Sequence, residues 1–292
     1  MKPAPFDYLR PATKVEALQL LDTHRDGDAK ILAGGQSLVP MMNFRMAQPS
    51  VLIDINRLSE LAFVEERTDC IAIGALTRHN DVMRHPLVRK HLSLLAMAYE
   101  NVAHHTIRNR GTIGGNVAHA DAASEVPVVL TALDAEFVIE SKKATRNVSA
   151  EDFFLGVFTT ALEADELLVE IRVARPDPRA GSAFEEVSLR KGDFAIVSVA
   201  AEVVANEGTI ELARIAIGGV ADRAERASTA EAILAGAPLV GKTVQDAVSA
   251  QIDAIEFLDA PGISADYRRE AARALLERNI IAAAARSEGT QA

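Results

Sequence analysis

The sequence contains a single cysteine, Cys70, and no tryptophan. One thiol cannot form an internal disulfide, and it cannot supply the several cysteine ligands of a zinc site or an iron–sulfur cluster. The apolar run around Cys70 is typical of a strand, so we interpret it as a buried core thiol. Any iron–sulfur centre that works with this chain must therefore lie on another polypeptide.

Positive charge is also in deficit, since 31 Lys and Arg face 41 Asp and Glu and give a net charge of −10. With aromatic residues at only 4%, the chain lacks the basic and stacking surfaces that bind nucleic acids. Its longest apolar runs, such as IIAAAA at 280–285, fall far short of the roughly 20 residues that span a bilayer. The N-terminal MKPAPFDYLRP contains no apolar signal segment. These absences predict a cytoplasmic protein that binds neither nucleic acid nor membrane.

The common catalytic signatures are missing as well. There is no G-x-G-x-x-G, no G-x-x-x-x-G-K-[ST], no G-x-S-x-G and no H-E-x-x-H. The seven histidines are scattered, and the one adjacent pair, His104-His105, suits a polar helix end better than a shared site. We therefore assign no catalytic acid, base or nucleophile and no metal ligand.

What is present is the composition of a globular protein, with 292 residues of which 49% are hydrophobic. Strands and helices are mixed along the first part of the chain, whereas after residue 181 the strands come first and the helices follow. This order indicates an α+β protein. The Pro- and Gly-containing segment 174–181 marks the boundary between two domains. Helices are predicted at 13–23, 38–46, 87–103, 125–133, 226–235, 243–252 and 265–286, and strands at 29–32, 51–55, 71–75, 135–140, 166–173, 183–189, 197–204, 209–212 and 213–218.

Two double-glycine segments are the strongest candidates for a ligand site. One is Ala33-Gly34-Gly35-Gln36-Ser37 and the other is Thr112-Ile113-Gly114-Gly115-Asn116. Glycine lets the backbone approach a ligand closely, and consecutive N–H groups form a concavity that binds anions. Neither segment contains Lys or Arg, so we expect both to hold a pyrophosphate through N–H groups and polar side chains. Two ordinary tight turns remain the alternative at this point.

Four segments carry a more specific signal: ILAGGQSLVPMMNFRMAQPSVLIDINRL at 31–58, IGALTRHNDV at 73–82, TIRNRGTIGGNVAHADAASEVP at 106–127 and LRKGDFA at 189–195. Together they resemble the FAD-binding medium subunit of molybdenum hydroxylases, a family that includes the carbon monoxide dehydrogenase medium subunit and the xanthine dehydrogenase flavin domain. The resemblance covers nearly the whole chain. It implies an α+β fold in which a PCMH-type FAD-binding domain at 1–176, with subdomains of about 1–55 and 56–176, precedes a C-terminal domain at 177–292. That second domain is expected to pair a three-stranded antiparallel sheet with a helical layer.

The resemblance also implies which residues contact FAD. The two glycine-containing runs would hold the pyrophosphate and its neighbours, and Glu125 stands where the family has a carboxylate, often Asp, for the ribose side. Leu168 matches a position near the adenine or flavin, and Phe194 one near the isoalloxazine. The full set is Ile31, Leu32, Ala33, Gly34, Gly35, Gln36, Ser37, Leu38, Thr112, Ile113, Gly114, Gly115, Asn116, Glu125, Leu168 and Phe194.

The implied function is electron transfer by a non-covalently bound FAD. Electrons would come from 2Fe-2S clusters of a small partner subunit and leave to an external acceptor, while a molybdopterin large subunit hydroxylates the substrate. A dimer of heterotrimers is the expected assembly. Two alternatives remain at this stage: a single-chain FAD oxidase or reductase, and a non-catalytic nucleotide-binding subunit.

Overall fold

Parallel strands open the fold in the computed structural model, which describes residues 2–289. They form a sheet in the order β1-β3-β2, with Ile31 of β2 paired to Ile53 of β3. Helix α1 begins where the sequence predicts, because the Thr13 side chain accepts a hydrogen bond from the N–H of Glu16 at 3.2 Å. The elements are β1 Asp7–Leu9, α1 Lys14–Thr23, β2 Ala29–Leu32, α2 Leu38–Asn43 and β3 Val51–Asp54.

An antiparallel sheet follows, in the order β4-β5-β10-β6-β7. Its central strand β10 pairs with β5 through Ile171 and Ile73 and with β6 through Ile171 and Phe137, and all three side chains are fully buried. Cys70 lies buried at the start of β5, as predicted. The strands are β4 Val64–Glu66, β5 Cys70–Gly74, β6 Glu136–Glu140, β7 Thr145–Ser149 and β10 Leu167–Ala174, and the hairpin β8 Phe154–Gly156 with β9 Thr159–Thr160 precedes β10.

Short helices cover this second sheet. The single helix predicted for 87–103 is wrong, because Leu92 leaves the helical region at φ −121° and ψ 58° while its side chain stays fully buried. The chain thus forms two short helices, Pro86–His91 and Ser93–Ala98, in place of one. The helices are α3 His79–Arg84, α4 Pro86–His91, α5 Ser93–Ala98, α6 His105–Arg108, α7 Ile113–His119, α8 Glu125–Ala132 and α9 Ala150–Phe153.

The last part of the chain is an antiparallel sheet backed by helices. The three-stranded antiparallel sheet that the resemblance implies is formed by β11, β12 and β13, and within the described residues the two-residue strand β14 extends it in the order β11-β12-β13-β14. The predicted strands 209–212 and 213–218 form one strand. Arg226, the first residue of the predicted helix 226–235, pairs with Ala216 of that strand instead. The elements are β11 Gly181–Ser188, β12 Ala195–Asn206, β13 Thr209–Gly218, β14 Glu225–Arg226, α10 Ser228–Leu234, α11 Gly241–Ala254 and α12 Ala265–Ser287.

Three clusters of buried apolar side chains support these layers. One joins the first sheet and α1, the second lies between the second sheet and its helices, and the third lies between the last sheet and α10 to α12. Ala200 and Ala216 of the last sheet belong to the second cluster, so that sheet also packs against α8. No helix between residues 2 and 289 is both long and apolar enough to cross a membrane.

Candidate functional site

The first glycine segment forms an open turn between β2 and α2. Gly35 has a φ of 72°, a conformation that glycine adopts without strain. Among the described residues, the backbone N–H groups of Gly34, Gly35, Gln36 and Ser37 donate no hydrogen bond. The Gln36 side chain bonds back to the Gly34 carbonyl at 3.1 Å and leaves these donors free. Consecutive free N–H groups can form a concavity that binds an anion such as a phosphate.

The second glycine segment is helical and not a tight turn. It forms the first turn of α7, capped by the Thr112 hydroxyl, which accepts from the N–H of Gly115 at 3.1 Å. The N–H groups of Ile113, Gly114 and Asn116 donate to the carbonyls of Thr77, Ala75 and Thr112 at 2.9–3.0 Å. Since these donors are satisfied within the protein, only the first segment presents a row of free N–H groups. A contact between residues 112–116 and the cofactor stays a prediction.

The two segments nevertheless meet in space. A Cβ on Gly34 would lie 2.6 Å from the carbonyl oxygen of Arg110 and from Cα of Gly111. A Cβ on Gly115 would lie 3.6 Å from the Cβ of Ala33. Glycine is therefore required at position 34 because backbone packs directly against backbone there. The tertiary structure thus brings together two runs that are far apart in the sequence.

A cavity of about 750 Å³ opens beside the first segment, within the size range of ligand sites. It lies at the carboxyl ends of the parallel strands β1, β2 and β3, where α/β sheets bind ligands. Leu32, Ala33, Gly34, Gly35 and Gln36 of the predicted set line it. The other lining residues are Tyr8, Arg10, Val39, Pro40, Asp54, Asn56, Arg78 and Arg110.

These additional lining residues were missed by the sequence interpretation, although one signal was available. Arg10 follows β1, and Asp54 ends β3, so both stand at the same sheet edge as the glycine turn after β2. Asp54 accepts hydrogen bonds from the Tyr8 hydroxyl and from the backbone and side chain of Asn56. Burial opposes ionisation of Asp54, but these hydrogen bonds outweigh it and keep the pKa of its carboxyl below the ordinary value.

Glu125 lies at the first turn of α8, and 4% of its surface is exposed. Burial raises the pKa of its carboxyl to about 8, and the nearby Glu186 and Asp121 add to the shift. Burial also raises the pKa of Glu186 on β11 to about 7, and Oε2 of Glu186 has no hydrogen-bond partner within the described residues. Two carboxyl groups from different layers thus share a poorly hydrated region, and sequence reasoning identified only one of them.

His79 packs against Gly111, the residue directly before the second glycine segment. The backbone N–H of His79 donates to the carbonyl of Gly111 at 3.0 Å, and Nδ1 of its ring lies 3.3 Å from the Tyr99 hydroxyl. Burial lowers the pKa of His79 to about 4, so the ring is neutral near pH 7. A Cβ on Gly111 would lie 2.7 Å from this ring, which makes the histidine a packing support for the turn.

The remaining predicted residues lie outside the cavity lining. Asn116 exchanges hydrogen bonds with the Ser124 hydroxyl at 2.8 and 3.1 Å. Leu168 is buried in β10 opposite Ile139, with 4% of its surface exposed. Phe194 follows the turn between β11 and β12 and is 62% exposed, so its side chain is free to contact a ligand or a partner. Their roles toward the cofactor stay predictions.

The fold and the site together define a flavin-binding oxidoreductase subunit. The cavity at the ends of the parallel strands fits a dinucleotide pyrophosphate, because the free N–H groups of residues 34–37 lie beside it and the glycine at position 34 allows close backbone packing. Residues 4–176 match the family of the FAD binding domain in molybdopterin dehydrogenase, and residues 182–283 match the CO dehydrogenase flavoprotein C-terminal domain. The chain belongs to this family of FAD-binding medium subunits of molybdenum hydroxylases, and its cofactor is FAD.

Individual relatives agree with this assignment along the full length. The chain is 41% identical to the 6-hydroxypseudooxynicotine dehydrogenase complex subunit alpha of Paenarthrobacter nicotinovorans, covering 100% of this chain and 98% of that one. It is 40% identical to caffeine dehydrogenase subunit beta of Pseudomonas sp. (strain CBB1), covering 98% and 97%. A solved structure of carbon monoxide dehydrogenase from Hydrogenophaga pseudoflava superposes with a TM-score of 0.95 at 41% identity, covering 98% of this chain and 99% of that one.

Proposed function

We propose that this chain is the electron-transfer subunit of a molybdenum-containing hydroxylase or dehydrogenase. When bound, FAD supplies a redox centre between the 2Fe-2S clusters of a small partner subunit and an external electron acceptor. A large partner subunit with molybdopterin would hydroxylate the substrate. The family match over residues 4–176, together with the four free N–H groups of the first glycine segment, is the observation that supports this proposal.

The chain's own role is to bind, orient and shield the flavin. We propose that residues 31–38 and 112–116 hold the pyrophosphate end non-covalently, with Glu125 at the ribose side. Leu168 and Phe194 are proposed contacts of the adenine or flavin ring. We also divide the chain into a flavin domain at 1–176, with subdomains of about 1–55 and 56–176, and a C-terminal domain at 177–292.

A dimer of heterotrimers in the cytoplasm is the proposed assembly. The relatives are named as subunits or medium chains of complexes, such as the medium chain of carbon monoxide dehydrogenase from Hydrogenophaga pseudoflava, which agrees with a divided reaction. Cys70 is buried, and one thiol cannot hold an iron–sulfur cluster, so a cluster that passes electrons to the flavin would lie on another chain.

Co-expression with the two partner subunits tests this function. The complex should purify with FAD, iron and molybdenum, and its flavin should bleach under anaerobic conditions when the right substrate is added. Caffeine, quinoline, glyceraldehyde and carbon monoxide form a suitable panel, because the names of relatives include them. The chain purified alone should contain FAD that dithionite reduces but that none of these substrates reduces.

Two outcomes would contradict the proposal. Robust substrate oxidation by the isolated chain, without molybdenum or iron, would favour a single-chain FAD oxidase. A purified chain without any flavin spectrum, even after incubation with FAD, would favour a non-catalytic nucleotide-binding subunit. Flavin that remains attached after acid precipitation would contradict the non-covalent part alone.

A further inference from the structure

Positive charge is concentrated around the cavity beside the first glycine segment. Arg10, Arg78 and Arg110 line it, and Asp54 is the only carboxylate among its lining residues. That carboxylate is already occupied by hydrogen bonds from Tyr8 and from Asn56, and it lies 4.0 Å from Arg10. Three guanidinium groups thus face one partly satisfied carboxylate in a protein whose net charge is −10.

Arg78 and Arg110 lie next to each other at this cavity. Arg78 donates to the carbonyl of Arg110, and to Oδ1 of Asn56 at 2.8 Å. Burial, and then the charge of Arg110, lower the pKa of the Arg78 guanidinium. The Arg110 guanidinium itself has no hydrogen-bond or ion-pair partner within residues 2–289. Like charges held this close are stabilised when an anion joins them.

The free N–H groups of the glycine turn lie at the same cavity. Gly34, Gly35 and Gln36 line the space into which Arg10 and Arg110 also project. N–H groups and guanidinium groups prefer the same ligand, an oxyanion with several acceptor oxygens, and arginine matches phosphate geometry in a bidentate manner.

We propose that Arg10, Arg78 and Arg110 form a cationic clamp that neutralises the FAD pyrophosphate opposite the N–H row of residues 34–37, an inference that rests on the proposed function. The glycine segments themselves contain no Lys or Arg, so the sequence suggests a pyrophosphate held by neutral donors only. In the folded chain the counter-charge comes from three separate places in the sequence. Arg10 follows β1, Arg78 directly precedes α3, and Arg110 lies two residues before the Thr112 cap of α7.

The test is FAD binding to the flavin-free full chain, measured by fluorescence titration at low and high ionic strength. Arg110→Gln removes a guanidinium without a protein partner, so the fold should be kept. We expect it to raise the Kd for FAD roughly five- to tenfold, and the double variant with Arg10→Gln to raise it further. Arg110→Lys should recover part of the affinity, because the charge remains.

Three comparisons make the result specific. Arg89→Gln removes the same charge from an exposed helical position outside the cavity and should bind FAD as the unmodified chain does. Riboflavin, which lacks the pyrophosphate, should bind the unmodified chain and the double variant equally. High salt should weaken FAD binding to the unmodified chain more than to the double variant.

The proposal is overturned if the double variant binds FAD with unchanged Kd and unchanged salt dependence while the unmodified chain is fully loaded. It is also overturned if ADP binds the FAD-loaded chain and loses affinity in Arg110→Gln, because the arginines would then serve a second nucleotide. Both results leave the flavin function intact. Failure of the unmodified chain to bind FAD at all would contradict the proposed function instead.

Discussion

At the scale of single residues, Glu125 shows how burial changes a side chain that looks ordinary in the sequence. Its carboxyl is 4% exposed and has a pKa of about 8, and the neighbouring Glu186 has one of about 7. A carboxyl whose pKa is raised in the folded state keeps its proton there but loses it in the unfolded chain. The contribution of these two groups to stability is therefore fully present below about pH 4.5 and is lost as the pH rises to about 8.

We predict that Glu125→Gln removes part of this pH dependence. The amide mimics the protonated carboxyl, so the variant should match the unmodified chain near pH 5 and exceed it in melting temperature at pH 8 to 9. Thermal unfolding of the flavin-free chain across this pH range measures the effect. The matched change at an exposed site, Glu151→Gln, should leave the pH profile unaltered. Parallel profiles for Glu125→Gln and the unmodified chain would contradict the prediction.

The same residue permits a second, independent measurement on FAD. If Glu125 hydrogen-bonds the ribose, Glu125→Ala should weaken FAD binding by roughly 10- to 150-fold above about pH 8, where the carboxyl is ionised, because this is the range for a hydrogen bond to a charged group. Glu125→Gln retains one acceptor oxygen and should lose less. Equal FAD affinity in all three proteins would leave Glu125 as a residue of the α8 first turn with no contact to the cofactor.

At the scale of elements, the two glycine segments have different structural tasks. The first ends a parallel strand and presents free N–H groups, whereas the second starts α7 and uses its N–H groups internally. What brings them together is the contact of Gly34 with the backbone of Arg110 and Gly111, which directly precede the second segment. Backbone atoms cannot rotate away as a flexible side chain can.

We predict that Gly34→Ala displaces the first segment and empties the flavin site. The added Cβ would lie 2.6 Å from backbone atoms, and overpacking of this kind costs about 1–3 kcal/mol. The FAD content per chain and the melting temperature should both fall. Gly241→Ala is the matched control, because no atom lies within 4 Å of its added Cβ and its φ is negative. Full flavin occupancy in Gly34→Ala would show that the contact tolerates a methyl group.

At the scale of the whole molecule, Arg226 links the last sheet to the flavin-binding part. From β14 it donates to the carbonyls of Thr131 and Ala132 at 2.9 and 3.2 Å, and it pairs with Asp134 and Glu231. The carbonyls belong to the last turn of α8, where a cation is favoured by the helix dipole. The arginine thus satisfies several acceptors from two layers at once.

We predict that Arg226→Gln lowers the free energy of unfolding by about 2–3 kcal/mol, because charged hydrogen bonds to carbonyls and carboxylates are lost. Denaturant titration followed by circular dichroism measures the change. Lys242→Gln removes a charge from an exposed ion pair on α11 and should alter stability by less than about 0.5 kcal/mol. If both variants unfold at the same denaturant concentration, the link does not stabilise the packing of the two parts.

The sequence by itself determined the elements whose signals are local. The Thr13 cap placed the start of α1, apolar runs placed β2, β3, β5 and β12, and the first pair of glycines marked the turn that lines the cavity. Tertiary structure decided what depends on distant neighbours. Burial of Leu92 broke a predicted helix, pairing with β13 turned 225–226 into a strand, and folding brought Arg10, Arg78 and Arg110 to one cavity. The physical reason is that helix capping and the pattern of apolar residues act within a few residues of the chain. Burial of a side chain and the meeting of charges from distant segments arise only when those segments pack together.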